Sequence, residues 1–201
     1  MITPLMASHK DFDVYRVPPT GDQATARALL AEAGALGSRI TIDFADTPTN
    51  AAAAAGFRTA LDESGFVTSL KPIDADVYYS TIGVSAAEDE LVLAGWAPDW
   101  TNGSSVIPPL FDGRRITVRG NENYAQLDDP EINALIDQAN LETDLHHQAG
   151  LWGDLDEKVL EKAAVVPLIY DRTNQLVGSK VKGGFLHSFY GQTDLATLSV
   201  G

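Results

Sequence analysis

The sequence predicts an α/β fold in which a largely parallel, mixed sheet is flanked by helices. Three observations predict it. Ala- and Leu-rich stretches of helical length alternate with short strand-like runs, the pattern of βαβ units. The run Leu91-Val92-Leu93-Ala94 is apolar at every position, which suits a strand covered on both faces. Hydrophobic residues make up 44% of the 201 residues and charged residues 21%, an ordinary globular balance that argues against a disordered chain.

The first twenty residues hold Pro4, Pro18 and Pro19 and read as irregular. A helix is expected from Asp22, a polar cap, through an Ala- and Leu-rich stretch to Gly34 in the position where helices stop. Ile40, Ile42 and Phe44 alternate with Thr41 and Asp43, which gives a strand. Thr49 or Asn50 is the expected cap of a second helix, which carries Phe57 and Leu61 on one face and ends near Gly65. Strands are then expected at Phe66–Lys71 and Leu91–Gly95, with a polar connection between them. The stretch from Gly103 to Asn123 reads as a long loop with one short strand near Ile116–Val118. Asp128-Asp129-Pro130-Glu131 is a strong helix start, and Ile132, Leu135, Ile136 and Ala139 form that helix's apolar stripe. A longer helix is expected from about Asp144 to Lys162, with Leu145, Trp152, Leu155 and Val159 inward. Val165–Tyr170 reads as a last strand in which Pro167 marks an edge position or a strand end. After Asn174, glycines break the chain into short apolar pieces.

Composition excludes several classes. A net charge of −14 argues against a nucleic-acid partner, because phosphate binding needs clustered Lys and Arg. With 0 cysteines there is no thiolate catalysis, Cys-based zinc site or disulfide. No apolar run reaches the roughly 18 to 20 residues of a transmembrane helix. Met1–Met6 lacks the basic start and apolar core of a signal peptide, so none is expected on this chain itself. There is no Gly-x-Ser-x-Gly elbow and no His-Glu-x-x-His motif. His146 and His147 are adjacent on a helix and point in different directions, which does not suit a metal pair. No cofactor, metal ligand or catalytic residue is therefore expected. A carboxylate-dependent hydrolase using Asp89 or Glu90 with Asp99 stays open as the alternative.

The most informative segment is Gly95-Trp96-Ala97-Pro98-Asp99-Trp100-Thr101-Asn102, directly after the Leu91 strand. In open α/β sheets, ligands collect beyond the carboxyl ends of strands. Two indoles flanking one carboxylate form an apolar box with a negative charge inside, suited to an amine. Asp99 also reads as a turn or cap residue, and Trp96 and Trp100 as packing residues. Asn102, Ser104 and Ser105 are positioned either to hydrogen-bond a ligand or to satisfy their own turn. Tyr79, in the preceding connection, has the same two readings. Trp152 reads as core.

Several elements occur in one order: Ala26–Gly34 (Ala-Arg-x-Leu-Leu-x-Glu-Ala-Gly), the Ile40–Phe44 strand, Gly95–Trp100 (Gly-Trp-x-x-Asp-Trp), Asp129–Ile136, Val165–Tyr170, and Val181–Phe185. Together they resemble the C-terminal part of the extracellular solute-binding proteins of ABC importers, in the peptide- and oligopeptide-binding family (family 5 type). The resemblance implies a periplasmic-binding-protein-like lobe, incomplete without the first lobe, so that the chain reads as a fragment. Residues 1–174 are then the bulk of the second lobe, lacking its start, and 175–201 the segment returning to the first. It also implies a non-enzymatic receptor that traps a peptide or other amine-bearing solute between lobes and docks on ABC permease subunits. The parent is expected outside the cytoplasm, membrane-anchored. In peptide-binding relatives an aspartate at the Trp-x-x-Asp position pairs with the ligand's α-amino group. Asp99 matches that position, with Trp96 and Trp100 shaping the pocket and Asn102 and Tyr79 beside it.

Overall fold

A computed structural model of the chain describes residues 1–87, 89–171, 174–187, 189 and 192–201. In chain order its elements are helix α1 (Gln23–Glu32), strand β1 (Arg39–Ala45), α2 (Pro48–Ser64), β2 (Val67–Ile73), α3 (Tyr78–Ile82), β3 (Leu91–Val92), α4 (Ile107–Phe111), α5 (Pro130–Leu141), α6 (Leu145–Glu161), β4 (Val181–Lys182) and β5 (Ser199–Val200). The residues group into two units. One comprises Phe12–Gly95 with Pro109–Asn133, the other Met1–Asp11, Trp96–Pro108 and Ala134–Gly201.

The first unit is built on a parallel sheet of order β2-β1-β3. Period-two alternation along β1 puts Ile42 and Phe44 on one face, where they pack with Ala54, Phe57 and Leu61 of α2 and with Leu70 and Leu93. Burying each of these two side chains contributes about 1.5–3 kcal/mol, and Phe44→Ala is expected to cost about 3–5 kcal/mol. α1 is capped by Asp22, which accepts from Thr25 N at 2.9 Å, and the chain turns away at Gly34 with φ +68°. The cap of α2 is Thr47, two residues earlier than the sequence predicts. Its hydroxyl accepts from Asn50 N at 3.3 Å, and Pro48 supplies the preset φ of the first helical turn. α2 ends at Gly65, whose φ of +115° a side chain would strain.

The Leu91 strand differs from expectation. It pairs over two residues only, opposite Ile42 and Asp43, at an edge of the sheet, and Leu91 is 38% exposed. The ladder ends with Leu93 N donating to Asp43 O at 2.9 Å. Residues 116–118 form no strand; they follow a 3-10 turn at Gly113–Arg115.

The second unit centres on α6. Asp144 caps it by accepting from His146 N and His147 N at 3.0 and 2.8 Å. Its buried face carries Ala149, Trp152, Leu155, Asp156 and Val159, whereas Leu145, expected inward, is 76% exposed in the helix's first turn. The buried Asp156 carboxylate accepts from Ile2 N at 2.8 Å. β4 and β5 form an antiparallel pair, Val181 opposite Val200. Val165–Tyr170 is not a strand, contrary to its β-branched composition. It has no ladder partner among the described residues, Pro167 lacks an N–H, and Val166 and Ile169 are 70% and 79% exposed. α5 starts as the sequence predicts: Asp129 accepts from Glu131 N at 2.8 Å, Pro130 comes first, and Ile132, Ile136 and Ala139 are buried.

Candidate functional site

The chain leaves the sheet at Leu93 and enters the segment Trp96–Pro108, part of the second unit. Here the sequence folds into a loop held by its own side chains. Trp96 Nε1 donates to Ser105 O at 2.8 Å, and Trp100 Nε1 donates to Ser104 Oγ at 2.9 Å. The Ser105 hydroxyl faces the carbonyls of Trp100 and Asn102 at 2.7 and 2.9 Å. Asn102 caps the 3-10 turn Gly103–Ser105, accepting from Ser104 N at 2.9 Å.

The loop is anchored on α6 at two points. Gly103 sits against Trp152, where a side chain would overlap the indole's Cβ and Cγ, so only glycine fits. Asn102 Nδ2 donates to Gln148 Oε1 at 3.0 Å, and Gln148 Nε2 in turn faces the carbonyls of Ala139 and Glu142, both at 3.0 Å. Gly103 N also donates to Ser8 Oγ at 3.3 Å. Gly103 and Ser105 are buried, so the bonds of the Gly103 N–H and the Ser105 hydroxyl satisfy groups that water does not reach.

On this frame Asp99 and Trp100 face solvent, Trp100 at 49% exposure, while Trp96 and Asn102 are half-buried. The structure thus brings Trp96, Asp99, Trp100 and Asn102 into one loop. Both indole N–H groups are engaged within it, and Asp99 and Trp100 are exposed at its surface. Tyr79 belongs to the first unit. It is 53% exposed, its hydroxyl accepts from Gly95 N at 3.2 Å, and its ring meets Tyr78 edge-on at 5.3 Å. The sequence reading missed Gln148, Gly103 and Ser8 as supports. Nothing in their local spacing marks them, because each matters through a residue about 45 or more positions away.

The paired-carboxylate alternative gains nothing from this geometry. Asp89 and Glu90 lie in the first unit, where Lys71 Nζ is 2.5 Å from Asp89 and Thr41 N is 2.8 Å from Glu90. His147 meets Glu142 at 2.6 Å, and among the described residues no three His, Asp or Glu side chains group to hold a metal. No described helix is long and apolar enough to cross a membrane. Clefts of about 410 Å³, lined in part by Arg115, Thr117 and Glu122, and of about 250 Å³, lined in part by His9, Lys10 and His146, include no residue of the loop.

No family model matches the chain. In solved structures, it superposes on a clavulanic acid biosynthesis oligopeptide-binding protein with a TM-score of 0.89 and 31% identity, over 98% of this chain and 37% of that one. Its fold is periplasmic-binding-protein-like. A dipeptide-binding protein from Pseudoalteromonas, solved with Met-Leu, shares that fold at a TM-score of 0.79 and 20% identity, over 99% of this chain and 39% of that one. In sequence, the chain is 27% identical over 184 residues to a di/tripeptide-binding protein of Pseudomonas aeruginosa, covering 89% of this chain and 34% of that protein. Over nearly its whole length it is thus similar to about a third of peptide-binding receptors, as a fragment of one would be. These relatives are named for binding, not for catalysis.

Proposed function

We propose that this chain supplies one wall of the ligand cleft in the solute-binding component of an ABC importer, taking peptides or another amine-bearing solute. The observation that carries the reading is the loop Trp96–Ser105. Its frame is fixed by internal hydrogen bonds, and the adjacent residues Asp99 and Trp100 are exposed on it. A carboxylate with an aromatic neighbour is complementary to an ammonium group. In open water such a pair contributes about 0.2–1 kcal/mol. Its strength rises when a second wall excludes water, as lobe closure does. Tight binding on this reading therefore belongs to the complete receptor, and the isolated chain binds weakly.

In the same reading residues 1–174 form the bulk of the second lobe and 175–201 return to the first. Asn102 positions the loop. The parent works outside the cytoplasm, anchored to the membrane, without enzymatic activity, and its closed form docks on permease subunits.

A thermal-shift panel of di- to pentapeptides, simple amines, sugars and metal chelates tests this, with Asp99→Ala in parallel. Peptide at about ten times Kd adds about 1.4 kcal/mol, a rise of a few degrees. We expect the rise with peptides and its loss in D99A. A flat response to every peptide, or an equal rise in D99A, contradicts the proposal.

A further inference from the structure

Asp43 lies on the middle strand of the parallel sheet and is only 1% exposed. Strand register sets it opposite Lys71, whose Nζ lies 3.2 Å from Asp43 Oδ2 and 2.5 Å from Asp89 Oδ2. One ammonium thus serves two carboxylates. Asp43 Oδ1 is buried and receives no hydrogen bond from a described N–H or O–H group. Two ionised carboxylates on one ammonium leave a surplus negative charge beside a buried group, whereas a proton on one supplies the missing donor and removes that charge.

We propose that the Asp43 carboxyl retains a proton shared with Asp89, and that this proton latches the connection of residues 74–90 onto the sheet. The same connection is tied down around Asp43 by two tyrosines. The Tyr78 hydroxyl faces Asp43 O at 3.0 Å and Leu93 O at 2.9 Å, and Tyr79 receives Gly95 N. Burial holds Asp43 above the usual carboxylate range, Asp89 adds to the rise, and Lys71 opposes it. The Lys71 hydrogen bond holds Asp89 below that range, and Asp89 foremost holds Lys71 above the ordinary lysine value. Of the other ionisable groups nearby, Tyr78 is kept protonated foremost by burial. Glu90 is engaged by Thr41 N.

The signs separate the two acids. Asp43 has a raised folded value, so its contribution is full below the usual carboxylate range and is lost as pH rises through the folded value. Asp89 has a lowered one, so its contribution is full above that range and is lost only in acid. The decline in stability from the usual carboxylate range upward therefore belongs to Asp43. This inference concerns the sheet and stands apart from the proposed function.

Side-chain carboxyl ¹³C titration of the full chain tests it, on the unsubstituted protein and on Asp89→Asn, with Tm measured against pH for both and for Asp43→Asn. We expect Asp43 to titrate above the usual carboxylate range and Asp89 below it, with the Asp43 midpoint moving down in D89N. We also expect the Tm of the unsubstituted chain to fall by a few degrees from pH 4 to pH 8 and that of D43N to stay level. An Asp43 midpoint within or below the usual range overturns the proposal, as does a midpoint unmoved in D89N. If D43N does not fold, the two titrations decide alone.

Discussion

The indole N–H of Trp96 donates to the backbone carbonyl of Ser105 across 2.8 Å. The first residue follows the exit from the sheet and the second sits in a buried 3-10 turn, so the bond closes a loop with Asp99 at its solvent side. On this account the hydrogen bond positions the carboxylate, and the carboxylate meets the ligand. The two roles are separable by substitution.

Trp96→Phe keeps an aromatic ring, smaller than the indole, and removes the donor. The Ser105 carbonyl then loses its indole partner, and urea denaturation is expected to show a loss of about 1–2 kcal/mol. An unchanged midpoint would mean that the loop does not depend on this bond.

Gly103→Ala places a methyl group against Cβ and Cγ of Trp152 and 3.1 Å from Ile2 Cδ1. Trp152 and Ile2 are both buried, so neither yields easily. A destabilisation of about 1–3 kcal/mol is expected, read as a shift in the fluorescence-monitored unfolding midpoint. A neutral effect would show that the loop sits further from α6 than described.

Tyr78→Phe removes a buried hydroxyl that faces two carbonyls. Asp43 O keeps the Leu93 N–H, whereas Leu93 O loses its described side-chain donor. The cost is expected to be about 1–2 kcal/mol, with faster amide exchange at Leu93 and Gly95. Exchange that quickens uniformly through the chain, with no local excess there, would argue against a local tie.

Asp144 is held below the usual carboxylate range, first by the His147 N–H and also by that of His146. Its folded value is depressed, so its contribution is present above the unfolded value and is lost as pH falls through the folded one. Asp144→Ala is expected to lower Tm at neutral pH and to narrow the gap to the unsubstituted chain in acid. A gap that stays constant from neutral pH to pH 2 would rule out the cap as its source.

Much of this architecture is legible in the residues. β1 announces itself by alternation at Ile40, Ile42 and Phe44, and α6 by the spacing of Trp152, Leu155 and Val159, since each pattern reflects one buried face. Ladders are less legible, because a strand needs a partner that composition does not name. Leu91–Gly95 and Val165–Tyr170 are both strongly apolar, yet the first pairs over two residues and the second over none among those described. The polar side of β1 is also hidden from the sequence. Asp43 alternates outward like any solvent-facing residue, and only register and the 74–90 connection reveal that it is buried. The Trp-x-x-Asp segment was visible as a motif, whereas its supports at Gln148 and Ser8 appear only once α6 and the N-terminal segment are in place.

Amine recognition at Asp99 is tested most directly by an ¹⁵N-HSQC titration of the full chain with a free dipeptide and with its N-acetylated form, repeated on Asp99→Asn. The account predicts shifts concentrated at Trp96–Asn102, including the indole N–H signals, with the free peptide alone, and their loss in D99N. Equal shifts with the acetylated peptide, shifts that survive in D99N, or none at millimolar free peptide would contradict it.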